Sequence, residues 1–259
     1  MATVVFDIET VPDVELGREF LGLEGVSDID TAKAMAFHNL QEKGTEFLPL
    51  YQHRVVAISI AQRSPDGFSV KTLGTPESSE AELIQSFFNG VEKSPVLVTW
   101  NGGGFDLPVL HYRGLKHRVS APTYWDTGDN NRDFKWNNYQ SRFHQRHTDL
   151  MDVLSGFNPR ARASLDSIAS MLGYPGKLGM DGSKVWGAYC DGDITGIRDY
   201  CEHDVLNTYL VYLNYQLMRG DLDAEGLARE EGMVRELLEA SDQPHLKEFL
   251  DTWNAAGAA

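Results

Sequence analysis

Short β-branched runs dominate the apolar positions of the first half of the chain, and apolar residues at helical spacing dominate the second, so strands precede helices. Thr3 to Phe6 ends in Asp7-Ile8-Glu9-Thr10 with Pro12 behind it, which predicts a buried strand whose end carries acids. Residues 13 to 53 hold little strand signal; Thr31 to Lys43 predicts a helix closing at Gly44, within an insertion or flap. Val55 to Ala61 and Phe68 to Leu73 predict two strands joined by the turn Ser64-Pro65-Asp66-Gly67, giving three consecutive antiparallel neighbours. Thr75, Pro76 and Glu77 start a helix carrying Leu83, Ile84, Phe87, Phe88 and Val91, and Val96 to Trp100 is a fourth strand. After Asn101-Gly102-Gly103-Gly104 come Phe105-Asp106, a short helix through Leu107, Leu110 and Tyr112, and a fifth strand around Thr148 to Val153. Ser164 to Leu172 predicts a helix closing at Gly173, and Asp193 caps a long helix from Ile194 to about Met218, ended by Gly220. The pattern is that of a mixed α/β sheet domain.

Composition narrows this picture. The 259 residues suffice for one large domain or two small ones, and 42% hydrophobic with 24% charged residues is globular composition. A net charge of −15 excludes a uniform basic coat for gripping a polyanion, so any nucleic-acid contact is local. Residues 221–259 carry ten acids against Arg229, Arg235 and Lys247, while Leu227, Val234, Leu237 and Leu238 allow an amphipathic helix. We expect an acidic helical extension packed on a 1–220 domain, in preference to an acidic interaction tail. Two cysteines, Cys190 and Cys201, suit a reducing compartment, and no apolar run resembles a signal peptide or a membrane helix. The expected location is cytoplasmic, with no membrane partner.

Candidate chemistry is distributed along the chain. On a strand, residues i and i+2 share a face, so Asp7 and Glu9 can turn toward one hard cation. On a helix, i and i+4 share a face, which puts the Tyr200 phenol beside the Asp204 carboxylate. With Asp106 just past another strand, four carboxylates would converge and repel unless divalent cations neutralise them. Oxygen-only ligation fits Mg²⁺ or Mn²⁺ and argues against zinc. Cys201-x-His203 completes no zinc site, since its members point to different sides of a helix and no second Cys/His pair accompanies them. The triple glycine lacks the Gly-Lys-Ser/Thr of a phosphate loop and instead lets the backbone turn tightly near a substrate.

Between Leu107 and His147, seven basic residues face three acids, with Trp125, Phe134, Trp136, Tyr139 and Phe143 interleaved. Arg132, Lys135, Arg142 and Arg146 are therefore candidates to hold a single strand on its way to the acids; the alternative is a solvated loop face pinned by its aromatics. His144 and His147 are surface or phosphate-contact candidates.

Phe6-Asp7-Ile8-Glu9-Thr10, Asn101-Gly102-Gly103-Gly104-Phe105-Asp106 and Tyr200-Cys201-Glu202-His203-Asp204 resemble the three exonuclease motifs of the DEDD superfamily, in its tyrosine subtype. Together with Leu165 to Leu172 and the continuation to Tyr209, they make the chain similar to stand-alone exonucleases related to the proofreading domain of family-B DNA polymerases. The similarity runs from the first strand to about Met218. It implies an RNase-H-like mixed five-stranded sheet flanked by helices, and two-metal hydrolysis at a 3′ end that releases nucleoside monophosphates. On this resemblance Asp7 bridges two divalent cations, Mg²⁺ or Mn²⁺. Glu9 and Asp204 serve the one holding the attacking water, Asp106 positions the other, and Tyr200 orients or deprotonates the water. Asn101 resembles a residue holding the loop or the terminal nucleotide, and Thr10 a contact to the 3′ end. Phe105 fits either packing near the terminal base or anchoring a helix in the core. The expected partner is a nucleic acid with a 3′ end, single-stranded DNA ahead of RNA; the competing functions are an exoribonuclease, a catalytically silent nucleic-acid-binding adaptor, and an interaction scaffold using the acidic helix.

Overall fold

A computed structural model describes residues 2–256; Met1 and the last three residues of the expected extension lie outside the described residues. The first strand, β1 (Thr3–Pro12), is longer than its apolar run, because the acids lie inside it and not at its end. Its parallel pairing stops at Val5, whereas its antiparallel pairing continues to Pro12 through an irregularity at Glu9/Thr10. Asp7 and Glu9 thus sit where one flank of the strand is bare of a neighbour. Two capped helices follow, α1 (Val14–Leu21), started by Asp13, and α2 (Asp28–Lys43), started by Ser27 and ended at Gly44. The insertion expected over residues 13–53 is therefore a helical pair, of which α1 gave no sequence signal.

β2 (His53–Ser64) and β3 (Gly67–Thr72) complete the antiparallel run. Helix α3 (Glu80–Val91) starts later than Thr75-Pro76-Glu77 suggested: Ser79 and Glu82 form a reciprocal capping box that satisfies the first-turn amides. β4 (Val96–Thr99), α4 (Asp106–His117) and the short α5 (Pro122–Trp125) come next. β5 is only His147–Asp149, because Asp149 caps α6 (Leu150–Leu154) and converts the rest of the expected strand into helix. Then follow α7 (Leu165–Met171), α8 (Val185–Cys190), α9 (Ile194–Arg219), α10 (Ala224–Ala240) and α11 (Pro244–Ala256).

The sheet order is β3-β2-β1-β4-β5, antiparallel on the β3–β2–β1 side and parallel on the β1–β4–β5 side, the expected RNase-H-like mixed sheet. Strand alternation divides the core. Phe6, Ile8, Ile58 and Leu97 pack with Leu83, Phe87 and Leu110 of α3 and α4; Val5, Ala61 and Val98 pack with Leu206 and Leu210 of α9 on the other face. Two helices, where one was expected, close this second face: Val234, Leu238, Leu246, Phe249 and Trp253 of α10 and α11 belong to the same buried cluster. Among the described residues, no helix is long and apolar enough to cross a membrane.

Candidate active site

On β1, Phe6 and Ile8 point into the α3–α4 core, so Asp7 and Glu9 turn to the face crossed by α9. Asp106 opens α4, and its Oδ1 accepts the Ile8 amide at 3.1 Å, which pins the second motif to the middle of the first. Asp204 comes from α9 one turn after Tyr200, so the carboxyl and the phenol share one side of the helix. Glu9, Asp106 and Tyr200 are buried, while Asp7 and Asp204 remain partly open to solvent.

Electrostatics follow from this crowding. Burial, then the charges of Asp106, Glu9 and Asp204, push the Asp7 carboxyl well above its ordinary value. Burial, then Asp204 and Asp106, do the same to Glu9. Asp106 rises to about 7, chiefly through burial, although its amide contacts oppose the rise. Asp204 rises to about 6 by burial, against the pull of the Tyr200 hydroxyl and of exposed Lys177. Asp7 and Glu9, whose oxygens lie within 4.8 Å of each other, and Asp106 and Asp204, whose charges raise both, make a hard, oxygen-rich donor set, the kind that Mg²⁺ or Mn²⁺ relieves. Burial, then the charges of Asp204, Glu9 and Asp7, push the Tyr200 phenol upward.

Cys201 also belongs to this cluster, a residue the sequence offered only as an incomplete zinc motif. Its Sγ, an Asp7 oxygen and a Glu9 oxygen lie within 4.8 Å of one another. The thiol donates to the Asp7 main-chain O at 3.4 Å and to Asp7 Oδ2 at 3.6 Å. Burial, then Asp7 and Glu9, hold its pKa well above the ordinary thiol value, so the thiol keeps its hydrogen for Asp7. His203 faces elsewhere, its Nε2 2.9 Å from the His245 carbonyl.

The glycine loop is organised by Asp149, a second residue the sequence did not single out. Asp149 Oδ1 accepts the Asn101 amide at 2.9 Å and Oδ2 the Gly103 amide at 2.8 Å. Asn101 takes the left-handed backbone conformation, and its carbonyl accepts from the Gly104 and Phe105 amides. A Cβ on Gly102 would stand 2.5 Å from the Thr99 side chain, and one on Gly104 2.6 Å from Asn101 Oδ1, so the loop closes only with glycine there. Asp149 is the sequence's Thr-Asp-Leu at the end of a strand, readable as a helix cap but silent about the loop.

Phe105 is half-buried, with its ring 5.2 Å from His53 and 6.0 Å from Phe47. His53 Nε2 lies 3.2 Å from the Leu48 carbonyl, which fixes that nitrogen as the protonated one; Nδ1 then accepts from Thr10 Oγ1 at 3.0 Å. Thr10 is thereby tied to His53 at the end of the acid-bearing strand. Phe47, His53 and Phe105 form an aromatic wall beside the acids, its rim the exposed Phe47.

The basic segment requires correction. Arg146 is buried, its guanidinium 4.3 Å from the Phe134 ring and bonded to the carbonyls of Asn137 and Ser94, so it is a structural cation and not a phosphate contact. Tyr139 is buried and donates to the Pro95 carbonyl. These anchors fix Tyr139 and Arg146 at the start of β4. Arg132, Lys135 and Arg142 are exposed. Lys135 lies over Trp136, and Arg142 over Phe143 and Phe157; we assign the three no part in the site. His147 is held on β5 by Thr99 at 2.9 Å, not presented to a phosphate.

Acids from β1, α4 and α9 thus lie beside a glycine loop at one end of an RNase-H-like sheet. Residues 45–253 match the family described as "Predicted 3'-5' exonuclease related to the exonuclease domain of PolB", and the chain belongs to that family. The match begins after Asp7 and Glu9 and continues through α10 and most of α11, past the expected limit near Met218, in keeping with the core these helices complete. DNA polymerase 1 of Sulfurisphaera ohwakuensis is 47% identical over 38 residues, 15% of this chain and 4% of that protein. DNA polymerase 1 of Saccharolobus solfataricus is 41% identical over 51 residues, 20% of this chain and 5% of that protein. The structure of the family B DNA polymerase from Pyrobaculum calidifontis aligns at a TM-score of 0.49 and 17% identity, covering 100% of this chain and 27% of its own. The chain spans a small fraction of each of these polymerases.

Proposed function

We infer that the protein is a divalent-cation-dependent 3′-to-5′ exonuclease of the tyrosine subtype, acting on single-stranded DNA and releasing nucleoside monophosphates. The observation that carries this is the gathering of Asp7, Glu9, Asp106 and Asp204 around β1, with Asp106 bonded to the Ile8 amide between the first two and the charges of Asp106 and Asp204 acting on both. These four would hold the cations, two Mg²⁺ or Mn²⁺ ions, which when bound supply Lewis-acid stabilisation to both oxygens of an in-line phosphodiester displacement. Asp7, reached by all the other acids, is placed to serve both. Tyr200, one helical turn from Asp204, orients the attacking water by hydrogen bonding. Asp149 keeps the Asn101–Gly104 backbone closed, so that Asp106 and Phe105 present from a fixed helix start. Residues 1–220 form the exonuclease domain in this proposal, with the helices after it as an extension. DNA is preferred over RNA because the matched relatives are named DNA polymerases.

The test is digestion of 5′-labelled single-stranded DNA and RNA of one sequence with Mg²⁺, Mn²⁺ or EDTA. We expect a cation-dependent ladder shortening from the 3′ end, faster on DNA. Faster cleavage of RNA would reassign the polymer, and binding without cleavage would leave an adaptor. The aromatic wall supplies a separate expectation: Phe47→Ala removes a stacking surface worth about 1 to 3 kcal/mol per base, raising the KM for single strands about 5-fold or more, with Mn²⁺ binding unchanged. An unaltered KM would remove Phe47 from the substrate path.

A further inference from the structure

Residues 134–148 and 153–165 hold no Asp or Glu, in a chain with 38 acids and a net charge of −15. They carry Lys135, Arg142, Arg146, Arg160 and Arg162, of which Arg146 is buried and Arg162 is paired with Asp152. Lys135, Arg142 and Arg160 are exposed. The same two stretches hold Trp136 and Phe143, each 78% exposed, and Phe157, 41% exposed. Lys135 Nζ stands 5.4 Å from the Trp136 ring. The Arg142 guanidinium stands 5.0 Å from the Phe143 ring and 5.5 Å from that of Phe157, which joins the two stretches into one patch.

A closed backbone holds these rings in water. Behind Trp136 and Phe143, the Asn138 amide donates to His144 Nδ1 at 3.0 Å and the Gln145 amide to Asn137 Oδ1 at 3.1 Å. Asn138 Oδ1 accepts the Gln140 and Ser141 amides, each at 3.1 Å. Buried Tyr139 and Arg146 then fix this loop to the carbonyls of Pro95 and Ser94. Phe157 takes the left-handed backbone conformation directly after Gly156, with its amide on the Asp152 carbonyl at 2.8 Å. An aromatic ring is thus kept at the surface where the backbone favours Gly or Asn.

A nucleotide offers a phosphate and a planar base, and in this patch a cation lies within cation–π distance of each exposed ring, so both features are met together. An acidic protein surface would use the cations and leave the rings without a partner. Helix α6, only Leu150–Leu154, separates Phe157 from Asp149, whose carboxylate closes the glycine loop ahead of Asp106. One short helix therefore joins the patch to the loop that presents Asp106. We propose that Trp136, Phe143 and Phe157, with Lys135, Arg142 and Arg160, are a second contact for single-stranded nucleic acid, outside the acidic site, holding nucleotides 5′ of the one removed. Its place on the strand rests on the exonuclease reading; the binding itself does not.

Titration of the full chain in EDTA with a labelled oligothymidylate of about 20 nucleotides, at several salt concentrations, reads binding apart from cleavage. Trp136→Ala and Phe143→Ala, made together, should weaken binding about 10-fold or more, as loss of stacked bases does. Lys135→Glu, Arg142→Glu and Arg160→Glu together should weaken it most at low salt and flatten the dependence of log affinity on log salt. All five side chains are exposed, so both variants should keep the wild-type Tm. Polyglutamate at equal charge concentration, an anion without bases, should displace the oligomer poorly. With Mg²⁺ or Mn²⁺ present, the rise in KM caused by either variant should be larger for an oligomer of about 20 nucleotides than for one of about 4. Wild-type affinity and salt dependence in both variants would overturn the patch, and equal displacement by polyglutamate would overturn it in favour of an acidic protein partner. Lost binding in the variants, with no cleavage by the unmodified protein, would support the contact and overturn the exonuclease reading instead.

Discussion

Asp7→Asn is expected to lower exonuclease turnover by at least about a thousand-fold, about 4 kcal/mol of transition-state stabilisation, while making the protein harder to unfold in EDTA. Both effects have one cause. Asp7 is the carboxyl on which the charges of Asp106, Glu9 and Asp204 all act, and its partly buried position leaves that repulsion less screened than in water. Asparagine keeps the shape and an oxygen for the Cys201 thiol but removes the charge, relieving the repulsion and deleting the shared ligand. Wild-type protein should gain thermal stability with Mn²⁺ in proportion to site occupancy, and the variant should not. Turnover within ten-fold of wild type, or an undiminished Mn²⁺-induced rise in Tm, would contradict the assignment of Asp7 as the central ligand.

What the sequence revealed of this site is local geometry, and what it concealed is contact between distant segments. The i, i+2 and i, i+4 spacings placed Asp7 with Glu9 and Tyr200 with Asp204, and the three antiparallel neighbours followed from β-branched runs and their turn. Asp149 was hidden because its ligands are main-chain amides of a loop 46 to 48 positions away, which no side-chain pattern announces. Arg146 misled for the converse reason: composition counts its charge but not the two carbonyls and the aromatic face that bury it. Helices α1 and α8 are short and begin without a strong periodic signal, and α11 was masked by the acids around it; each is held by packing that propensity alone does not report.

Arg113→Ala is expected to destabilise the protein by about 3 to 5 kcal/mol, lowering Tm by roughly 10 °C, although Arg113 lies outside the acidic cluster. Its side chain is only 2% exposed. Its Nε and Nη2 bond the two oxygens of Glu80 at 2.7 and 2.6 Å, and Nη1 bonds Asp13 Oδ2 at 2.6 Å and the Tyr51 carbonyl at 3.2 Å. Truncation leaves two buried carboxylates, with His117 still on Glu80 and Lys116 still on Asp13. The sign of the pH dependence follows. Burial alone would raise both carboxyls, but the bonds from Arg113 and its neighbours hold Asp13 and Glu80 below their ordinary values. Wild-type stability from this network is therefore present above the unfolded carboxylate pKa, about 4, and is lost as pH falls through the lower folded values. Without the guanidinium the same burial favours the protonated acids, so the variant's deficit should be greatest near pH 7 to 8 and shrink in acid. Arg113→Lys, which restores the charge but not the two-pronged contact, should recover part of it. A deficit independent of pH would mean that the side chain acts by filling space. The loss should also reach function, since Asp13 caps α1 directly after β1 and Tyr51 precedes His53. Freeing these two points loosens the aromatic wall from the acids, so the KM for single strands should rise before global unfolding begins.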